Sequence, residues 1–160
     1  MKMPHQMEKV SNNFYTGQID TIETMEDLIL EGSRDIYFTP SVKLEAASGR
    51  CSISGESYLE EPYEFYKKVA EWFMGYTRGG GSNIHLDLRL NYFNTSSSRA
   101  ILEMLRVLKN LQESGTQVVV NWYYPDPDDD EILMEGEDFQ EECGLAINMI
   151  EYDPDDVATK

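Results

Sequence analysis

The longest regular pattern in the chain is an alternation of apolar and polar side chains over residues 84–93. A period of two over ten residues predicts a half-buried β-strand. We expect this strand to be central in a sheet, with its apolar side facing the core. The apolar positions are Ile84, Leu86, Leu88, Leu90 and Tyr92, and the polar positions between them are His85, Asp87, Arg89 and Asn91.

Helical periodicity flanks this strand on both sides. Residues 61–77 repeat apolar side chains every three or four positions, and Pro62 suits the first turn of a helix. Residues 95–112 repeat them in the same way and are followed by Gly115. Residues 131–143 predict a third, short and acidic helix.

Shorter apolar stretches predict the remaining strands. Residues 42–44 and 50–54 alternate on either side of a turn and predict an N-terminal hairpin, with residues 42–44 as an edge strand. Residues 117–124 predict a buried strand, and residues 145–152 a last one. The predicted order is β-β-α-β-α-β-α-β, which indicates an α/β fold with helices packed against a mixed sheet.

The chain length favours one domain. With 160 residues, of which 41% are hydrophobic, the chain can bury a single core. Residues 1–34 are polar, their best helical stretch is Thr21 to Leu30, and we interpret them as an extension outside the main domain. The domain is expected over residues 35–152, followed by an acidic tail, residues 153–160.

The charge balance excludes several partners. The chain has 13 basic and 30 acidic residues, a formal net charge of −17, so we expect no nucleic acid partner and no binding to anionic membranes. The sequence has no apolar run of membrane-spanning length and no secretion signal at its start, which favours a cytoplasmic protein. Cys51 and Cys143 lack the spacing of a disulfide framework or a zinc site.

The acidic segment Asp126 to Glu142 leaves a second interpretation open. Asp126, Asp128, Asp130 and Glu137 match positions 1, 3, 5 and 12 of a calcium-binding EF loop. Position 6 is Glu131 where that loop requires glycine, and a β-like segment precedes it. The alternative function is therefore a small divalent-metal-binding protein or enzyme using these carboxylates. A solvated acidic loop or a surface for a basic partner explains the same residues.

The segment Asn94 to Ser98 places four hydroxyl residues at the start of the second predicted helix. Ordinary N-capping needs only one of them. A phosphate attached there would meet unpaired backbone N–H groups and the positive end of the helix dipole. The segment is therefore either a serine-rich cap or a phosphoacceptor site.

The sequence around these residues resembles the SiaC family of bacterial regulatory phosphoproteins, which are similar in shape to STAS-type anti-sigma-factor antagonists. The resemblance covers roughly residues 36–150 and implies a STAS-like mixed sheet with helices against it. It rests on Gly55-Glu56-Ser57-Tyr58, on Leu90-Asn91-Tyr92-Phe93-Asn94-Thr95-Ser96-Ser97 and on Trp122-Tyr123-Tyr124.

The resemblance implies a non-enzymatic switch protein without a cofactor. Thr95 is the residue that matches the family's phosphorylated threonine, modified by a serine/threonine kinase and restored by a PP2C-like phosphatase. The unphosphorylated form is expected to engage an effector such as a diguanylate cyclase and so to control biofilm formation. The residues expected to contact the kinase or another partner are Glu56, Ser57, Tyr58, Asn94, Ser96, Ser97, Ser98 and Arg99.

Overall fold

The structure is a computed structural model that describes residues 25–34, 38–125, 130–153 and 155. Eight strands and three helices lie in this part of the chain. The strands are β1 (Leu28–Leu30), β2 (Ser33–Arg34), β3 (Phe38–Thr39), β4 (Ser41–Leu44), β5 (Arg50–Ser57), β6 (Asn83–Phe93), β7 (Gln117–Tyr124) and β8 (Ile147–Glu151). The helices are α1 (Pro62–Arg78), α2 (Thr95–Glu113) and α3 (Glu131–Cys143).

Six of the strands form one mixed sheet in the order β1-β4-β5-β6-β7-β8, and β2 pairs with β3 in a small separate ribbon. The pairs β1/β4 and β4/β5 are antiparallel, and the pairs from β5 to β8 are parallel. Each helix connects two neighbouring parallel strands. Because such crossovers are right-handed, all three helices cover the same face of the sheet. The predicted α/β class, with a mixed sheet and helices against it, is confirmed.

The core lies between that face of the sheet and the helices. The alternation of β6 buries its leucines, as its period of two predicted. The helices bury the apolar stripes that their periodicity predicted. The largest fully buried side chains are Trp122, Tyr66, Phe73, Leu44, Ile53, Ile84, Leu86, Leu88, Leu90, Ile101 and Met104.

The other face of the sheet carries a row of polar side chains. Ser52, Asp87, Asn121 and Asn148 are register partners on four neighbouring strands. The Asn121 amide donates to Asp87 Oδ1 at 2.9 Å, and the Asn148 amide donates to Asn121 Oδ1 at 2.9 Å. Parallel sheets usually need apolar cover on both faces. On this face, hydrogen bonds between side chains pair the polar groups of the row.

The structure corrects the interpretation of the N-terminal part. The predicted helical stretch Thr21 to Leu30 is wrong where it is described, because Leu28–Leu30 is a strand that pairs with β4. β4 is therefore not an edge strand. The Trp72 indole also donates to the Glu26 carbonyl at 2.7 Å. Residues from Met25 onward thus belong to the folded domain, whereas the predicted extension reached residue 34. The physical reason is pairing, because β1 satisfies backbone groups that β4 would otherwise expose.

The short strands β1, β2 and β3 also add to the predicted order, which began with two strands. Residues 35–37, residues 126–129 and most of the predicted tail lie outside the described residues. None of the helices in the described part of the chain combines the length and the apolarity that crossing a membrane requires.

Candidate functional site

Two segments that are far apart in the sequence meet where β5 and β6 end. Ser57 is the last residue of β5, and its register partner is Phe93, the last residue of β6. The backbone N–H of Asn94 donates to the Ser57 carbonyl at 3.1 Å. The structure therefore brings Glu56, Ser57 and Tyr58 to the start of α2, as expected if both segments serve one site.

Asn94 caps helix α2. Its backbone is extended, with φ −82° and ψ 175°, and its side-chain oxygen accepts the backbone N–H of Ser97 at 2.9 Å. Asparagine is among the strongest N-cap residues for this reason. None of the four hydroxyl residues after Asn94 is the N-cap. Ordinary N-capping is therefore present, but through Asn94 and not through a hydroxyl, and the cap leaves the side chain of Thr95 unused for this purpose.

The hydroxyl residues of the first turn differ in exposure. Thr95 and Ser96 are exposed, and so is Arg99. Ser98 is half-buried, whereas Ser97 is fully buried. The first turn of α2 contains no acidic residue, so the helix itself places no carboxylate at the positive end of its dipole.

A chain of buried hydroxyls lies beneath this turn. The Tyr66 hydroxyl donates to Ser57 Oγ at 2.9 Å, and the Ser57 hydroxyl donates to Ser97 Oγ at 2.9 Å. All three residues have 0% exposure. Burial also raises the pKa of Tyr66, although its hydrogen bond with Ser57 opposes the rise. Ser57 and Ser97 were predicted to contact a partner. Their burial corrects that prediction, because a docked protein cannot reach them.

Two tyrosines are exposed at this edge. Tyr58 is 46% exposed and Tyr92 is 49% exposed, and their ring centroids lie 6.2 Å apart. Tyr92 was predicted on the buried side of β6. A register shift opposite Gly55 and Glu56 changes the alternation, so that Phe93 packs on Trp122 instead. The signal for the irregularity was Gly55, a glycine inside a strand, which has a φ of +113°.

Glu56 is held by a neighbouring ribbon. Its Oε2 lies 2.8 Å from a guanidinium nitrogen of Arg34, and that guanidinium lies 5.3 Å from the ring centre of Phe38. Arg34 was not predicted at this site, because it falls within the predicted extension, residues 1–34. This ion pair links the β2/β3 ribbon to the end of β5, next to Tyr58, whose backbone N–H donates to the Phe38 carbonyl at 2.8 Å.

The structure contradicts an EF-type calcium loop. Asp126 and Asp128 lie outside the described residues, but residues 131–143 form helix α3. An EF loop turns sharply through glycine at its sixth position, whereas the sixth position here is Glu131, the first residue of α3. In the described part of the chain, no group of three or more His, Cys, Asp or Glu side chains is placed to hold a metal ion.

Both cysteines are buried thiols. Burial raises the pKa of Cys51 to about 12, and burial also raises the pKa of Cys143. Because the thiolate is the reactive form of cysteine, burial disfavours reaction at both side chains.

Comparisons with known proteins give matches over most of the chain. The model of a family described as SiaC family regulatory phosphoprotein matches residues 32–152. An uncharacterized protein of Pseudomonas aeruginosa strain UCBPP-PA14 is 32% identical over 129 residues, which cover 81% of this chain and 99% of that protein.

Solved structures of P. aeruginosa proteins are similar as well. The structure of SiaC matches with a TM-score of 0.70 and 30% identity over 80% of this chain and all of that one. A chain in the structure of the diguanylate cyclase SiaD in complex with its activator SiaC matches with a TM-score of 0.71 and 31% identity. That match covers 79% of this chain and 100% of the other.

Proposed function

This chain belongs to the SiaC family of regulatory phosphoproteins, and on that premise we propose that it is a non-enzymatic switch protein controlled by phosphate on Thr95. A serine/threonine kinase adds the phosphate and a PP2C-like phosphatase removes it, in the cytoplasm. The unphosphorylated form binds an effector of the diguanylate cyclase class. The observation that carries this proposal is the exposed Thr95 side chain at the start of an Asn-capped helix whose first turn has no acidic residue.

The start of α2 has the chemistry to carry a phosphate. Phosphorylation adds about −1.5 to −2 charges and three acceptor oxygens. The backbone N–H groups of the first turn and the helix dipole favour an anion at this position. Arg99 is exposed one turn further along the helix. The modified protein therefore stays folded, because its own groups compensate the added charge.

The same phosphate would disfavour a partner docked on this edge. Tyr58 and Tyr92 are the large apolar side chains exposed beside the site, and aromatic residues are common anchors of protein interfaces. A partner that covers them would have to desolvate a phosphate on Thr95 at the interface rim. Phosphorylation of Thr95 therefore releases the partner through its local charge, while the fold of the protein changes little.

The solved complex of SiaC with SiaD supports the class of the effector, because this chain matches the full length of the SiaC structure. SiaC is an activator in that complex. We infer that the present chain likewise acts by binding, and that the carboxylates of α3 are not a catalytic site.

The modified residue is tested by mass spectrometry of the protein purified from its native cells in the presence of phosphatase inhibitors. Intact mass should show one phosphate, and fragment spectra should place it on Thr95. Thr95→Ala should remove the phosphate. Ser96→Ala is the matched control, since Ser96 is the neighbouring exposed hydroxyl, and it should retain the phosphate. Undiminished phosphate in Thr95→Ala would contradict the proposal.

Partner control is tested by capture from the same cells with three versions of the protein as bait. Thr95→Ala should capture a diguanylate cyclase, because it imitates the unmodified form. Thr95→Glu should capture less of the cyclase than Thr95→Ala does. The reduction should be partial, because a carboxylate has one charge and two oxygens and so imitates a phosphate only in part. Equal capture of the cyclase by Thr95→Ala, Thr95→Glu and the natural protein would show that charge at this position does not control binding.

A further inference from the structure

The buried hydroxyls of Tyr66, Ser57 and Ser97 connect three elements under the first turn of α2. Tyr66 belongs to α1, Ser57 ends β5 and Ser97 lies in α2. Burying a hydroxyl costs free energy unless it is hydrogen-bonded. Apolar residues could fill the same space without that cost, whereas hydrogen bonds impose a direction and a distance. The three hydrogen-bonded hydroxyls therefore fix the position of the first turn of α2 relative to β5 and α1.

These hydrogen bonds fix the residues on either side of Thr95 and Ser96. Asn94 is anchored because its backbone N–H donates to the Ser57 carbonyl at 3.1 Å. Ser97 is anchored because its Oγ accepts from Ser57 at 2.9 Å and its N–H donates to Asn94 at 2.9 Å. Thr95 and Ser96 form the segment between the two anchors, and both are exposed.

We propose that Tyr66, Ser57 and Ser97 are positioning residues that hold this turn so that phosphate goes onto Thr95 and not onto Ser97. The inference rests on the proposed function of Thr95. Ser57 is central because its carbonyl fixes Asn94 and its hydroxyl fixes Ser97. With Ser97 held at 0% exposure, a kinase cannot reach its hydroxyl. When the chain of hydroxyls is broken, the turn frays and Ser97 becomes accessible.

The test compares two tyrosines of helix α1 that each lose one hydroxyl. Tyr66→Phe removes the hydrogen bond to Ser57 and keeps the ring that packs on Phe65. Tyr76→Phe is the matched control, because its hydroxyl donates to the Asn83 carbonyl at 3.0 Å near the opposite end of the same helix. Thermal unfolding of both variants establishes that each remains folded.

The first readout is amide hydrogen exchange of the peptide that contains residues 94–98. We expect exchange in Tyr66→Phe to be faster by on the order of fivefold, the effect of losing one net hydrogen bond. We expect Tyr76→Phe to exchange at the natural rate in this peptide. Ser57→Ala removes the middle hydroxyl and with it both hydrogen bonds of the series. It should therefore increase the exchange rate more than Tyr66→Phe does.

The second readout is the position of phosphate in each variant purified from its native cells. Natural protein and Tyr76→Phe should carry it on Thr95, and Tyr66→Phe should carry a measurable share on Ser97. If Tyr66→Phe keeps all phosphate on Thr95, as the natural protein does, the positioning role is wrong and the proposed function stands. If the natural protein carries no phosphate on Thr95, the proposed function itself is contradicted, and the inference is contradicted with it.

Discussion

Helices α2 and α3 both begin at the same edge of the sheet, yet their first turns differ in capping and charge. α2 is capped by the Asn94 side chain and has no acidic residue in its first turn. α3 follows Asp130, which makes no capping hydrogen bond with its side chain, and Glu131 lies in its first turn. Carboxylates therefore already occupy the positive end of α3. The start of α2 is where an added anion gains most from the dipole.

The two helices are also held to the sheet by different means. α3 packs through Gly136 directly onto the Trp122 ring, whose indole N–H donates to the Ile132 carbonyl at 2.8 Å. The first turn of α2 is held by hydrogen bonds with the end of β5. Shape complementarity anchors α3, whereas directional bonds fix the start of α2. Accurate placement of the exposed Thr95 side chain requires directional hydrogen bonds.

The largest expected effect concerns the packing of α3. A Cβ atom at position 136 would lie 2.4 Å from Trp122 Cδ1, and Trp122 is fully buried. We expect Gly136→Ala to lower the free energy of unfolding by roughly 1–3 kcal/mol, since overpacking outweighs the helix propensity of alanine. Urea denaturation measures it. Glu137→Ala, on the exposed side of the helix, should change stability by less than about 0.5 kcal/mol. A Gly136→Ala protein as stable as the natural one would show that packing does not anchor α3.

A smaller effect compares the two caps. Asn94→Ala should cost about 1 kcal/mol, because the Ser97 N–H loses its acceptor. Asp130→Ala breaks no capping hydrogen bond and should lose only the interaction of a charge with the dipole, about 0.3–1 kcal/mol. Denaturation at low and high salt distinguishes the two variants. Salt screens the charge–dipole interaction that Asp130→Ala removes, but not the capping hydrogen bond that Asn94→Ala removes. Equal salt dependence in both variants would contradict the difference between the two helix starts.

The smallest effect concerns the excess of acid on α3. Burial raises the pKa of Glu135, and repulsion from Asp138 and Glu131 raises it further. The folded protein thus disfavours the ionised form, so stability falls as pH rises from the unfolded pKa through the raised folded pKa. Glu135→Gln should have a slightly higher Tm than the natural protein at pH 7. The difference should vanish well below the ordinary glutamate value of 4.5, where the carboxyl is protonated in both states.

The control for this prediction is Glu137→Gln, an exposed carboxyl of the same helix. Its Tm should follow that of the natural protein across the same pH range. A constant difference between Glu135→Gln and the natural protein at every pH would show that the substitution acts through packing and not through charge.

Local periodicity predicted most of the elements. β7 and α3 have the predicted bounds, and α1, α2, β5 and β6 differ by a few residues at their ends. Periodicity works because each segment must bury its own apolar side, whatever its neighbours are. It failed at Leu28–Leu30, where a short apolar stretch took its structure from the exposed edge of β4. It failed at Tyr92 as well, because a change of register between two strands is not visible in either strand alone.

The sequence by itself determined the family of this protein and the segment, Asn94 to Ser98, that is the candidate site. Hydroxyl residues at a helix start are a local feature, so they could be read without the fold. Only the tertiary structure decided which side chain caps the helix, which serines are buried and which residues remain exposed. Those outcomes depend on Ser57 and Tyr66, which other elements bring to α2. Contacts between residues distant in the chain are formed by folding, and no pattern within one segment encodes them.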